Sequence, residues 1–158
     1  MDEDQLVNLI IKDPYAKKGF VGVFSRTRIP ITNIFPASYI INLDEYGSKG
    51  FHWIGLYITS KYITIFDSFG GNYLNDGMFR SFINSFYNKN RELVSSPVIL
   101  QDYNSSTCGM YCVLFIWFSA RGYSLHEFLT MFTKNKIVND EGVELFFKTY
   151  HNTVLSCE

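Results

Sequence analysis

The sequence predicts an α+β fold: a small, mostly antiparallel sheet packed against a buried central helix and flanking helices. Three observations lead there. Short runs rich in aromatic and β-branched residues gather in the first half and middle of the chain. Apolar residues at helical spacing occupy the N-terminal stretch and most of the C-terminal part. Between them, Cys108 to Ala120 is apolar on every side, which suits a helix enclosed by protein.

Asp2 to Ile11 reads as a short helix with Leu6, Leu9 and Ile10 on one face. Phe20 to Phe24 and Ser38 to Asn42 read as short strands, separated by a loop-like stretch from Arg28-Ile29-Pro30 to Pro36. Phe51 to Ile58 and Tyr62 to Phe66, joined by Thr59-Ser60-Lys61, read as a hairpin that Gly70-Gly71 closes. Met78, Phe79, Phe82, Ile83, Phe86 and Tyr87 then recur at helical spacing. Pro97 to Leu100 reads as a short buried strand. After the central helix, Arg121-Gly122 is a C-cap signal, and Ser124 to Glu127 fits a capping box for the next helix. Val143, Phe146, Phe147 and Tyr150 form the inner face of a last helix.

With 158 residues, no repeat and no linker, the chain is expected to be one domain, 1–158. Apolar residues make up 47% and charged residues 18%, which excludes a disordered chain. The net charge of −1 does not advertise nucleic-acid binding by the whole protein. Lys12, Lys17, Lys18, Arg26 and Arg28 are nevertheless close together, opposed there by Asp13 alone; they form either a solvated face or a patch for DNA or an acidic partner. Three cysteines, an odd number, argue against a disulfide framework and for a reducing compartment. No signal peptide is expected, and the longest apolar run, Met110 to Phe118, is too short to span a bilayer.

Four polar or reactive side chains lie at the edges of these elements: His52, Asp67, Gln101 and Cys108. A thiol attacks carbonyls as its thiolate, and the unpaired N–H groups at a helix N terminus favour that anion. Cys108 sits where polar loop becomes apolar helix, and Gly109 leaves room for a substrate backbone. His126 and His151 have structural explanations at helix termini, which leaves His52 as the base, with Trp53 beside it to stack on the imidazole. Asp67 closes the strand paired with the one carrying His52, so it can approach the imidazole and fix its tautomer; it can equally start a turn with Ser68. Gln101 can point an amide N–H at an oxyanion, next to the Cys108 N–H. Taken singly each residue has a bland role available. Together they are nucleophile, base, orienting acid and oxyanion donor of a cysteine hydrolase. Cys112, one turn further into the helix, reads as core packing, and Cys157 is left open between a free thiol and a partner's pair.

These residues carry a resemblance. The chain is similar to the adenovirus-type maturation proteases, within the group that contains the SUMO-type proteases. His52-Trp53 matches the family's His-Trp; Gln101 and Cys108-Gly109 match its Gln and Cys-Gly, with the separation found in the adenovirus enzymes; Cys112 matches a further cysteine of their central helix. The run from Gly19 through Gly22 and Arg28 to Pro30 resembles their N-terminal segment, and the similarity reaches the last helix. Asp67 stands where the adenovirus enzymes use Glu, as in the SUMO-type branch. The resemblance implies the adenain/SUMO-protease-like fold. It also implies a thiol endopeptidase that cleaves virion precursor proteins after Gly or another small residue, acting in the virion or infected cell of a virophage or related DNA virus. No metal or organic cofactor is implied, and a monomer away from membranes is expected. An activating peptide or DNA is a candidate partner through the basic N-terminal segment. Gly50, Phe51 and Trp53 are the expected walls of the substrate passage. The alternatives are a deubiquitinase- or deSUMOylase-like isopeptidase, and a non-catalytic peptide-binding module on the same scaffold.

Overall fold

A computed structural model describes residues 1–43, 52–87 and 90–155, with the side chains of 152–155 excepted. Its elements follow the order α1 (Glu3–Lys12), a 3₁₀ turn (Ala16–Lys18), β1 (Phe20–Ser25), β2 (Ala37–Asn42), β3 (Trp53–Ile58), β4 (Tyr62–Phe66), α2 (Gly77–Phe86), β5 (Glu92–Val94), α3 (Cys108–Ala120), α4 (Leu125–Leu129) and α5 (Lys136–Leu155). Local chemistry explains several boundaries. Asp2 and Gln5 form a reciprocal capping box on α1, and Ser124 and Glu127 form one on α4. Asp76 caps α2 by accepting from the Met78 and Phe79 N–H groups. Gly122, at φ +90°, follows the last helical turn of α3 in the left-handed conformation that ends helices.

The five strands lie in chain order in one sheet. β2–β3 and β3–β4 are antiparallel, but β1–β2 and β4–β5 are parallel, so the sheet is evenly mixed rather than mostly antiparallel. A tight turn such as Thr59-Ser60-Lys61 announces an antiparallel pair in the sequence; parallel pairing is made by longer crossovers and leaves no local signal. Pro97 to Leu100 is also corrected. It is not a strand: Val98 and Ile99 are exposed, Leu100 alone is buried, and the segment is tied to the end of β4 by the Leu100 N–H to the Ser68 carbonyl at 2.8 Å. The strand here is Glu92–Val94, in register with Tyr62–Thr64.

Both faces of the sheet are covered. On one, Tyr39, Ile41, Ile54, Leu56, Ile63 and Ile65 pack with Phe79, Phe82, Ile83 and Phe86 of α2. On the other, Ile40, Trp53 and Phe66 pack against α1, α3 and α4, with α5 contributing Val143 and Phe147. This explains why β2 is buried along nearly its whole length instead of alternating. Helix α3 sits low over β3 because Gly55 has no side chain: a Cβ there would lie 2.8 Å from Phe115 Cδ1. Phe66 and Phe115 stack at 5.0 Å, with Phe128 edge-on to both. Of the predicted inner face of α5, Val143 and Phe147 are buried, whereas Phe146 is exposed and Tyr150 half-buried. The close α3–β3 approach brings the N terminus of α3 beside the ends of the β3–β4 hairpin.

Candidate active site

His52 immediately precedes β3 and Asp67 immediately follows β4. Antiparallel pairing, with Gly55 opposite Phe66, sets those two ends side by side. The His52 Nε2 to Asp67 Oδ1 distance is 3.0 Å, with Asp67 fully enclosed and the imidazole edge partly open. The Cys108 thiol, at the first position of α3, hydrogen-bonds the imidazole from its other side. With Nε2 taken by the carboxylate, Nδ1 is the nitrogen that serves the sulfur. The structure thus joins three residues, His52, Asp67 and Cys108, from three elements. Asp76 is elsewhere, capping α2 and pairing with Arg26 at 2.8 Å.

Burial works against charge on His52, but hydrogen bonds and attraction from Asp67 and Cys108 outweigh it and raise the imidazole from 6.5 to about 9. Burial likewise works against charge on Asp67, and is outweighed by the imidazole and by hydrogen bonds from the Phe69 N–H and the Tyr73 side chain, so its carboxyl titrates below the usual range. The Gly71 N–H donates to the second carboxylate oxygen at 2.9 Å. The arrangement sets a carboxylate on one side of an imidazole of raised pKa and a thiol on the other.

Gln101 is buried within hydrogen-bonding reach of the same turn. Its Oε1 accepts from Ser68 Oγ at 2.6 Å, and its Nε2 donates to the Ser105 carbonyl at 2.9 Å and faces the Ser105 hydroxyl at 3.3 Å. It therefore ties the residue after Asp67 to the loop that leads into Cys108. The Thr107 hydroxyl, at the N-cap of α3, makes no capping bond. Trp53 is buried and packs over the start of α3, its Cδ1 3.3 Å from where a Cβ on Gly109 would lie. Gly50 and Phe51 lie outside the described residues, as does Cys157. Cys112 is fully buried and donates its S–H to the Trp53 carbonyl at 3.3 Å, as a core residue.

Tyr73 is a site residue that the sequence reading does not single out. Its side chain bonds Asp67, its ring lies 6.0 Å from the imidazole, and Phe69 lies 5.2 Å from it. Its φ of +54° is unusual for a non-glycine residue and marks a backbone held in a left-handed conformation by its surroundings. Gly71 makes room for this: a Cβ there would meet Asp67 Oδ2 and the Tyr73 ring at 2.7 Å each. The signal in the sequence was the Gly70-Gly71 pair just after Asp67, which reads as a turn and gives no hint of a side chain folded back. Tyr73→Phe keeps the ring and removes one bond to the carboxylate. Should the site hydrolyse peptides, the expected result is a fall of about fivefold in kcat with KM little changed, equivalent to ~1 kcal/mol, measured by steady-state hydrolysis of a peptide.

The chain shares its fold with a bacterial domain. It is similar to the central domain of the uncharacterized Lpg1148 protein from Legionella pneumophila, with a TM-score of 0.52 and 11% identity over 87% of this chain and 88% of that one. No protein-family model matches the sequence, and no curated protein matches it. At that identity the likeness concerns the α+β architecture alone. Among the described residues, no helix is long and apolar enough to cross a membrane.

Proposed function

We propose that this chain is a cysteine endopeptidase. The observation that carries the reading is the imidazole of His52 set between the Asp67 carboxylate at 3.0 Å and the Cys108 thiol at a helix N terminus. His52 takes the proton of Cys108, and the sulfur attacks a peptide carbonyl to form a tetrahedral oxyanion. The Cys108 N–H stabilises that oxyanion together with Gln101, whose N–H facing Ser105 Oγ at 3.3 Å is the more weakly held of its two contacts. His52 then protonates the leaving amine, and water releases the acyl group from the sulfur while His52 acts as base again. Asp67, buttressed by Phe69, Gly71 and Tyr73, keeps the ring oriented.

The resemblance to adenovirus-type maturation proteases supports the narrower reading: cleavage of virion precursor proteins after Gly or another small residue. The test is incubation of the purified protein with Gly-Gly-containing peptides and candidate capsid precursors, read by mass spectrometry. Cleavage on the carboxyl side of Gly, blocked by prior iodoacetamide treatment, is the expected result. Intact peptides, with a Cys108 that alkylates no faster near neutral pH than a small-molecule thiol, would defeat the reading.

A further inference from the structure

We propose that Asp140, on α5, is a positioning residue that holds the oxyanion donor and the nucleophile in register. Asp140 is buried, and no described Lys or Arg pairs with it. A carboxylate in such a place is costly unless its oxygens are well supplied with donors. Three supply them. The Asp102 N–H donates to Oδ2 at 2.9 Å; the Thr107 hydroxyl donates to Oδ1 at 3.1 Å and the Tyr111 hydroxyl at 2.8 Å. Asp102 is the residue directly after Gln101, and Thr107 is the residue directly before Cys108. One carboxylate therefore grips both ends of the loop whose two flanking residues perform the proposed chemistry.

The neighbouring residue completes the grip. Asn139, also buried, donates to the carbonyl of Leu100, the residue before Gln101, at 3.1 Å, and is itself locked to Thr133. Within the loop, the Ser105 N–H donates to the Asp102 carbonyl and the Ser105 carbonyl receives the Gln101 amide, so a shift at Asp102 reaches Gln101 directly. The Thr107 hydroxyl is turned to Asp140 and to the Ser105 hydroxyl, 2.6 Å away, and makes no capping bond to the first-turn N–H groups of α3. Those N–H groups are the ones that face an oxyanion formed at Cys108. Helix α5 thus acts on the site without reaching it.

The inference rests on the cysteine-hydrolase reading, and the experiment separates the two. Asp140→Ala leaves three donors without their acceptor. Asp140→Asn keeps an oxygen for the Asp102 N–H, while both hydroxyls can rotate to accept from the new NH₂. With a Gly-Gly peptide, Ala is expected to lower kcat about 10- to 100-fold with KM within about threefold, and Asn to recover most of the loss. Iodoacetamide alkylation of Cys108 passes through no oxyanion, so its rate and pH profile stay as in the wild type. Hydrogen exchange at the Asp102 amide accelerates in Asp140→Ala. Wild-type kcat in Asp140→Ala, or an unchanged Asp102 amide, overturns the proposal; so does an equal loss of alkylation and hydrolysis, which means that the carboxylate only supports the fold. If Asp140→Ala does not fold, Thr107→Val and Tyr111→Phe each remove one bond, and full kcat in both overturns it. If the wild type hydrolyses no peptide and Cys108 alkylates as an ordinary thiol while the Asp102 amide still responds, the hydrolase reading has failed, and the catalytic role of Asp140 falls with it.

Discussion

On the proposed cysteine-endopeptidase reading, Cys108→Ala is expected to lose peptide hydrolysis by about 10⁴-fold or more, the removal of a nucleophile from a unit whose members act together. Cys112→Ala, one helical turn away, keeps kcat within a few-fold. The two thiols share a helix but not a setting. Cys108 meets the imidazole at the helix mouth. Cys112 lies under β3, and burial, reinforced by the nearby charges of Cys108 and Asp67, pushes its thiol well above the ordinary range, so it stays protonated and inert. Its S–H bond to the Trp53 carbonyl and its packing beneath Gly55 make the alanine change a matter of stability, about 1–2 kcal/mol. Steady-state kinetics on both variants, with mapping of the iodoacetamide adduct by mass spectrometry, checks this. Undiminished cleavage by Cys108→Ala, or an adduct on Cys112 that tracks loss of activity, would assign the chemistry to the wrong sulfur.

The parts of the fold and site visible in the sequence are those made by local patterns. The tight turn at Thr59-Ser60-Lys61 predicted that His52 and Asp67 end up adjacent, and they do at 3.0 Å. The all-apolar run predicted α3 at its observed bounds, Cys108–Ala120, because only an enclosed helix tolerates a surface with no polar side. The errors arise where tertiary contact decides. Pro97 to Leu100 has strand-like residues, yet the edge of β4 is taken by Glu92–Val94, leaving Val98 and Ile99 exposed. Gln101 reads as a strand-end residue that could be exposed; the Ser68 hydroxyl and the Ser105 carbonyl bury it. Tyr73 and Asp140 are not visible in the sequence, because Tyr73 reaches the site through a backbone reversal and Asp140 bonds the Gln101–Cys108 loop from a helix far along the chain. Periodicity reports which face is apolar, and it is silent about which buried carboxylate receives which donor.

Replacing the orienting carboxylate is the second large effect, and its size depends on what replaces it. Asp67→Ala removes the partner of Nε2 and is expected to lower kcat/KM about 10³-fold. Asp67→Asn still offers an oxygen to the Nε2–H, as the Asn of Cys-His-Asn proteases does, so it is expected to lose less than Asp67→Ala. What Asn cannot supply is charge. Asp67 is a principal reason why the imidazole stands at about 9 against its burial. The alkaline limb of kcat/KM, where His52 loses the proton it gives to the leaving amine, is expected near 9 in the wild type and at lower pH in Asp67→Asn. Stability follows the same groups. A histidine raised from 6.5 to about 9 on folding contributes fully below pH 6.5 and loses that contribution as pH rises through about 9. The lowered Asp67 carboxyl contributes above its ordinary 3.8 and loses that contribution as pH falls through its lower folded value. The wild-type melting temperature therefore drops more steeply than that of Asp67→Asn between pH 7 and 10, the lysine and tyrosine titrations common to both cancelling in the comparison. Parallel melting curves and an unmoved alkaline limb would mean that Asp67 orients the imidazole without charging it. The Phe69 and Gly71 N–H groups and the Tyr73 side chain argue otherwise: three donors converge on a carboxylate kept ionised, and a neutral amide could not accept from them all.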